Sequence, residues 1–274
     1  VQIMKKLNIS VCSTLFIVCF CLTALCAGNS LAAPGTLTLV SMGTGDPENM
    51  TLRAHKAIEA GDLFFSMGGK SPHPELTRGK PVYNAEHGLF GDSGARPRIS
   101  SEEAEELRAE NRSIIRQAVG AGKNVVILEN GDPAIFGPQI GYMQEFSDLD
   151  PHIVPGLSSF NAANAALMSS VVSGKAGAVM LTSGRLNGGR GEFLARAIND
   201  GVTMALFMVR DLDAFVGTLR NHKVPDSMPV AIVVNAGSLE KEKVVRATLA
   251  SIKKKLGDTK IGPYLLYIGE SVKG

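Results

Sequence analysis

Residues 122–138 read GKNVVILENGDPAIFGP, and their order decides the fold. Asn124 to Leu128 is a β-branched apolar run, short enough for a buried strand, and it passes straight into a Gly-Asp-Pro turn. A strand that ends in a glycine loop and feeds a helix is the repeating unit of α/β architecture. In open sheets of that class, ligands gather outside the carboxyl ends of the strands. Asn130, Gly131, Asp132 and Pro133 therefore form a candidate ligand loop. The plainer alternative is that Asp132 caps a helix over Gln139–Phe146.

The same grammar extends in both directions. Upstream, a strand over Thr36–Met42 ends in MGTGDP, with Gly43, Gly45, Asp46 and Pro47 leading to a helix over Leu52–Ala60. This loop lacks the third glycine of a dinucleotide fingerprint. Leu63–Phe65 is a further short strand, Gly68–Arg98 is rich in Gly and Pro and reads as irregular or lid-like, and Ser101 caps an acidic-headed helix through Ala118. Downstream, Ile153-Val154 is a strand, and in VPGLSSFNAANAAL Ser158 or Ser159 caps a helix near Phe160–Ser169. Strands follow at Ala178–Leu181, Met204–Val209, Val230–Val234 and Tyr264–Ile268, with a helix at Asp211–Arg220 and another from about Ser238 that ends in Lys253-Lys254-Lys255. No repeat of 20–50 residues interrupts the pattern. A hinge at Asp150-Pro151 divides the chain into an N-terminal α/β domain, 33–151, and a C-terminal α/β domain, 152–274.

Composition excludes several function classes. The chain of 274 residues is 45% hydrophobic and 20% charged, which is ordinary globular usage. All four cysteines, Cys12, Cys19, Cys21 and Cys26, fall in the first 26 residues. The rest of the chain can hold no zinc–thiolate site, iron–sulfur cluster, disulfide or thiolate nucleophile. Met4-Lys5-Lys6, the apolar run Val11–Ala27, and Ser30 and Ala32 before Ala33 follow the order of an export signal, 1–32, cut before Ala33. Kept uncut, the same run is long enough to anchor the protein in a membrane. Export places the body in the periplasm. Losing Lys5 and Lys6 balances the 28 basic residues against the 26 acidic ones. A neutral body without a basic face is not that of a nucleic-acid binder.

Taken together, VSMGTGDPENMTLRAHKAI (40–58), GKNVVILENGDPAIFGP and IVPGLSSFNAANAAL (153–167), followed by AVMLTSGR, TMALFM, MPVAIVVNAGS and VVRATLASI, resemble the tetrapyrrole methylase family. The resemblance runs from about Thr36 to Val272, and the look is closest to the precorrin-4 C-methyltransferase branch. It implies two α/β domains with a cofactor cleft between them, a homodimer, S-adenosylmethionine as cofactor, and a tetrapyrrole as methyl acceptor. The family's cofactor contacts fall on Thr44, on Asn130, Gly131, Asp132 and Ile135, on Ser158 and Ser159, and on Met208 and Ala236. Thr44 stands where the family commonly has Pro, and Asn130 where it has Gly or Ser. Met67 replaces the acidic proton acceptor of uroporphyrinogen-III methyltransferases, so no general base carries over. No resident metal is implied.

A tetrapyrrole with several carboxylates calls for Arg or Lys near the cleft. Lys80, His87, Arg96, Arg98, Arg185 and Arg190 are the candidates, with surface solubility as the competing explanation. His87 is also a candidate ligand for a haem iron, against the plainer reading of a polar loop residue.

Overall fold

A computed structural model describes residues 34–91, 95–257 and 262–273. The segment read as an export signal lies outside the described residues. Among them, no helix is long and apolar enough to cross a membrane.

The first unit is a five-stranded, all-parallel sheet in the order β3-β2-β4-β1-β5, built from β1 (Leu37–Ser41), β2 (Leu63–Ser66), β3 (Val82–Asn84), β4 (Val125–Glu129) and β5 (His152–Val154). Parallel strands need crossovers that cover both faces, which is why VVILE is apolar without alternation and buried throughout. Leu37, Leu39, Phe65, Val125 and Ile127 face α3 (Ser101–Gly120) and α4 (Gly141–Glu145), meeting Ile115, Tyr142 and Phe146. Val40, Phe64, Val126 and Leu128 point the other way, against Ala54 and Ile58 of α1 (Leu52–Ala60). A short helix, α2 (Pro74–Thr77), lies before β3. β5 pairs with β1, so the strand just past position 151 belongs to this first sheet.

The second sheet has the order β6-β7-β10-β8-β9, formed by β6 (Val179–Ser183), β7 (Thr203–Phe207), β8 (Pro229–Val234), β9 (Lys243–Thr248) and β10 (Tyr264–Ile268). Only β6 and β7 are parallel; β10 runs antiparallel to both β7 and β8, and β9 to β8. One face packs Met204, Leu206, Ile232 and Leu266 on α6 (Arg190–Asn199) and α7 (Leu212–Asn221). The other packs Ala205, Val233 and Tyr267 on Ala163 and Leu167 of α5 (Ser159–Leu167).

The single long helix expected from Ser238 to Lys255 is instead β9 followed by the short α8 (Ile252–Leu256). In KVVRAT, Val245 is buried on one face of the sheet with Ala247 packed beside it, Val244 packs on the opposite face, and pairing leaves no bare edge on β8. The three lysines do occupy a last helical turn, that of α8. Within the Gly- and Pro-rich segment, β3 was concealed by its brevity. Helix α6 was concealed by the glycines at its start, where Gly189 has φ 75°.

Candidate functional site

Three loops leave the carboxyl ends of β1, β4 and β5 side by side; hydrogen bonds join the first two, and the third packs against them. Gly131 N donates to Gly43 O at 2.7 Å, and Ser41 Oγ donates to the Gly131 carbonyl at 2.6 Å. At φ 75°, Gly131 adopts the left-handed conformation that glycine alone takes without cost, and a β-carbon there would come within 3.8 Å of Ser158 Cα. Ser158 is the α5 N-cap: its hydroxyl accepts from Phe160 N, and Asn161 Oδ1 accepts from Ser158 N. Asp132 Oδ1 accepts from Ala134 N two residues on, so it closes a local turn and caps no helix.

The first loop is also tied to the second unit. Asp46 N donates to Gly237 O at 2.9 Å, Asn49 Nδ2 donates to the same carbonyl at 2.8 Å, and Leu239 N donates to Asp46 Oδ2 at 2.7 Å. The contact is close enough that a β-carbon on Gly45 would sit 2.1 Å from the Gly237 carbonyl carbon. Beside this seam lies a cavity of about 670 Å³. Thr44, Asp46, Ser159 and Asn235 give it polar groups, and Phe207, Met208, Ala236 and Leu265 give it apolar surface. Its size and mixed lining are those of a cofactor or small-molecule pocket.

A second cavity, of about 1050 Å³, opens between the segment after β3 and the ends of β6 and β7. Six arginines line it: Arg96, Arg98, Arg108, Arg112, Arg185 and Arg210. The one acidic lining residue, Glu145, is engaged by Arg112, whose Nε lies 2.6 Å from it. Arg108 is held by the Leu89 carbonyl and Glu105. The side chains of Arg96, Arg98, Arg185 and Arg210 have no carboxylate partner among the described residues. Guanidiniums gathered around one concavity can pair with several carboxylates at once.

The two cavities share Met208 and Arg210. Met208 is half exposed and has φ 54°, a conformation that non-glycine residues seldom adopt. Phe136, Asn235 and Glu86, around the same cleft, also have positive φ. Strained backbone of this kind concentrates where a fold is shaped for binding. The Phe136 and Phe207 rings meet at 5.0 Å across the cleft.

Of the residues that the family resemblance assigns to the cofactor, Thr44, Ser159, Met208 and Ala236 line the smaller cavity. Gly131 and Ser158 lie outside that lining, where the second and third loops pack together. Asn130, Asp132 and Ile135 lie on the β4 loop outside that lining. Of the residues considered for acceptor carboxylates, His87, Arg96, Arg98 and Arg185 line the larger cavity. Lys80 does not: its Nζ caps the end of α1 through the Glu59 and Gly61 carbonyls. Arg190 bonds Thr182 at the start of α6. Sequence reasoning missed Arg108 and Arg112, which read as ordinary helix-surface charges on α3, and Arg210, whose only signal was its place just after a strand. Met67 is exposed after β2 and lines neither cavity.

Glu129 was also missed. It is 4% exposed at the end of β4, with Oε1 accepting from Asn130 N at 3.0 Å and Oε2 from Gln139 N at 3.0 Å. Burial outweighs these two bonds and pushes its carboxyl up to about 7. Glu129 thus clamps the two ends of the GDPAIFGP loop. No group of three or more His, Cys, Asp or Glu residues able to hold a metal ion occurs among the described residues.

Comparison with known proteins agrees with this geometry. Residues 36–253 match the Tetrapyrrole (Corrin/Porphyrin) Methylases. Among curated proteins, the cobalt-precorrin-4 C(11)-methyltransferase of Methanocaldococcus jannaschii is 31% identical over 224 residues, covering 80% of each chain. The siroheme synthase of Acinetobacter baylyi is 29% identical over 248 residues, covering 88% of this chain but 52% of its own length. Among solved structures, a uroporphyrin-III C-methyltransferase from Thermus thermophilus, complexed with S-adenosylhomocysteine, superposes with a TM-score of 0.61 at 24% identity, covering 87% of this chain and 99% of that one. A cobalt precorrin-4 methyltransferase gives a TM-score of 0.61 at 20% identity, with coverage of 87% and 96%. S-adenosylmethionine is the cofactor of these enzymes. With a match over most of its length, two α/β units and a cleft at the ends of their strands, the chain belongs to the tetrapyrrole (corrin/porphyrin) methylase family.

Proposed function

We propose that this protein transfers a methyl group from S-adenosylmethionine to a carbon of a precorrin-like tetrapyrrole. The observation that carries this reading is the wall shared by the two cavities. A mixed polar and apolar pocket and a larger arginine-lined one meet at Met208 and Arg210, as donor and acceptor sites must if a methyl is to pass directly between them. The relative from M. jannaschii, named for a cobalt-precorrin, supports the acceptor class.

The residues of the smaller cavity fit the cofactor. Thr44, Ser159 and Asn235 offer hydroxyl and amide groups to its amino-acid and ribose parts, and Phe207, Met208 and Ala236 offer apolar surface to the adenine. When bound, S-adenosylmethionine supplies a methyl already activated by its sulfonium. The chain's own contribution is alignment, because holding the two reactants in line removes most of the entropic cost of the step. Arg96, Arg98, Arg185 and Arg210 anchor acceptor carboxylates, and the loop tie at Ser41, Gly43 and Gly131 holds the first two loops together beside the smaller cavity. Calorimetry with S-adenosylmethionine, followed by mass spectrometry of a tetrapyrrole acceptor incubated with both, tests the reading. Absence of binding at millimolar cofactor overturns it. A homodimer is part of the same proposal and is checked by light scattering.

The order of residues 4–32 supports a second reading, in which the body is exported and its cleft holds a tetrapyrrole or other small ligand without transferring a methyl. Cell fractionation with intact-mass measurement decides the location. A methylated product made by the purified protein refutes the non-catalytic version.

A further inference from the structure

His87 stands on the wall of the arginine-lined cavity, on a backbone peg that is held from every side. Ala85 N donates to Ser66 O, and Tyr142 Oη donates to Ala85 O. Glu86 N donates to Asn84 Oδ1, Gln139 Nε2 donates to Glu86 O, and Arg98 N donates to Glu86 Oε1. The imidazole is fixed as well: Nδ1 lies 3.1 Å from the Arg96 carbonyl oxygen. A carbonyl only accepts, so the hydrogen is on Nδ1, and in the neutral ring the lone pair is left on Nε2. An imidazole whose Nδ1–H is tied to a backbone carbonyl is the usual arrangement of a histidine that ligates a metal. His87 forms no ion pair with a carboxylate among the described residues.

One histidine is too few to hold a free ion, and no further ligands are grouped with it among the described residues. It is enough for a metal that arrives already held by the four nitrogens of a macrocycle, which leaves only axial positions open. The geometry points to His87 as the axial ligand, through Nε2, of the central metal of a macrocycle seated among Arg96, Arg98, Arg185 and Arg210, so that the acceptor is taken in its metal-bearing form. The coordinate bond forms from the Nε2 lone pair as an axial water leaves, with no change of oxidation state. This inference rests on the proposed tetrapyrrole acceptor.

The test uses two probes, an octacarboxylate porphyrin carrying iron(III) and the same porphyrin without metal, titrated into the whole protein. Both are expected to bind. The iron form should bind about tenfold more tightly, with the absorption and electron-spin signature of a nitrogen axial ligand. In His87→Gly that signature should vanish and the tenfold preference with it, while affinity for the metal-free probe is unchanged; added imidazole should restore the signature. His87→Gln, which keeps a polar side chain in place, should also lose the signature and controls for local collapse. Equal affinity for the two probes, or an unchanged signature in both variants, overturns the axial role and leaves the acceptor site standing. Failure of both probes to bind overturns the acceptor site and the axial role together.

Discussion

Glu129 sets a residue-scale expectation. Its carboxyl rises from an ordinary 4.5 to about 7 because burial penalises the charge more than the Asn130 and Gln139 amides stabilise it. The folded state therefore binds this proton more tightly than the unfolded chain does. The contribution to stability is fully present below pH 4.5 and is lost as pH rises through about 7, by up to ~3 kcal/mol. Urea denaturation between pH 4.5 and 8 should show stability falling across that window, and Glu129→Gln should flatten the slope. A residue of this kind is invisible in sequence. Glu129 reads there as the polar end of a strand, and only the fold shows both of its oxygens turned inward onto the loop that follows.

Among the elements, α3 is the one whose sequence states its start most plainly. Ser100 and Glu103 form a reciprocal capping box, so the cap is Ser100 and the expected cap, Ser101, is the first helical residue. Ser100→Ala should lower stability by about 1 kcal/mol, read as a shift in the urea midpoint with unchanged slope. Further along, Arg112 and Arg116 reach Glu145 and Asp148 and lie 5.4 Å over the Phe90 and Phe146 rings, so α3 also fixes the wall of the larger cavity. The buried strands were legible because residues covered on both faces must be apolar without a break, as VVILE and PVAIVV are. Edge strand β9 was not legible, since Lys243, Glu242 and the lysines beyond it carry the charge pattern of a helix, and only pairing to β8 settles its conformation. The Gly-Asp-Pro loops could be recognised as ligand loops from their place after strands. Which of their residues line the pocket could not, because Asn130 and Thr44 have equal standing in the sequence and differ only in how the two units meet.

At the scale of the whole molecule, the arginines act as a field. They come from α3, from the segment after β3, and from loops after β6 and β7, segments that are far apart in the chain and gathered only by the cleft. Arg96→Ala and Arg98→Ala should each weaken a polycarboxylate acceptor about tenfold while leaving S-adenosylmethionine affinity unchanged, as calorimetry with each ligand will show. Acceptor binding should also weaken with added salt, because exposed charge pairs are screened.

The seam at Gly237 is one-sided. Asp46, Asn49 and Leu239 tie the two units beside the smaller cavity, whereas Arg185 and Arg210 make no hydrogen bond or ion pair to the opposite wall among the described residues. An opening of the cleft that keeps these hydrogen bonds has to part the Phe136 and Phe207 rings and swing from that edge, like a book from its spine. For the proposed transferase the expectation is ordered traffic: the occupant nearest the spine enters first and leaves last, and the macrocycle comes and goes through the fore-edge. Initial-rate kinetics should show S-adenosylhomocysteine competing with S-adenosylmethionine but not with the acceptor.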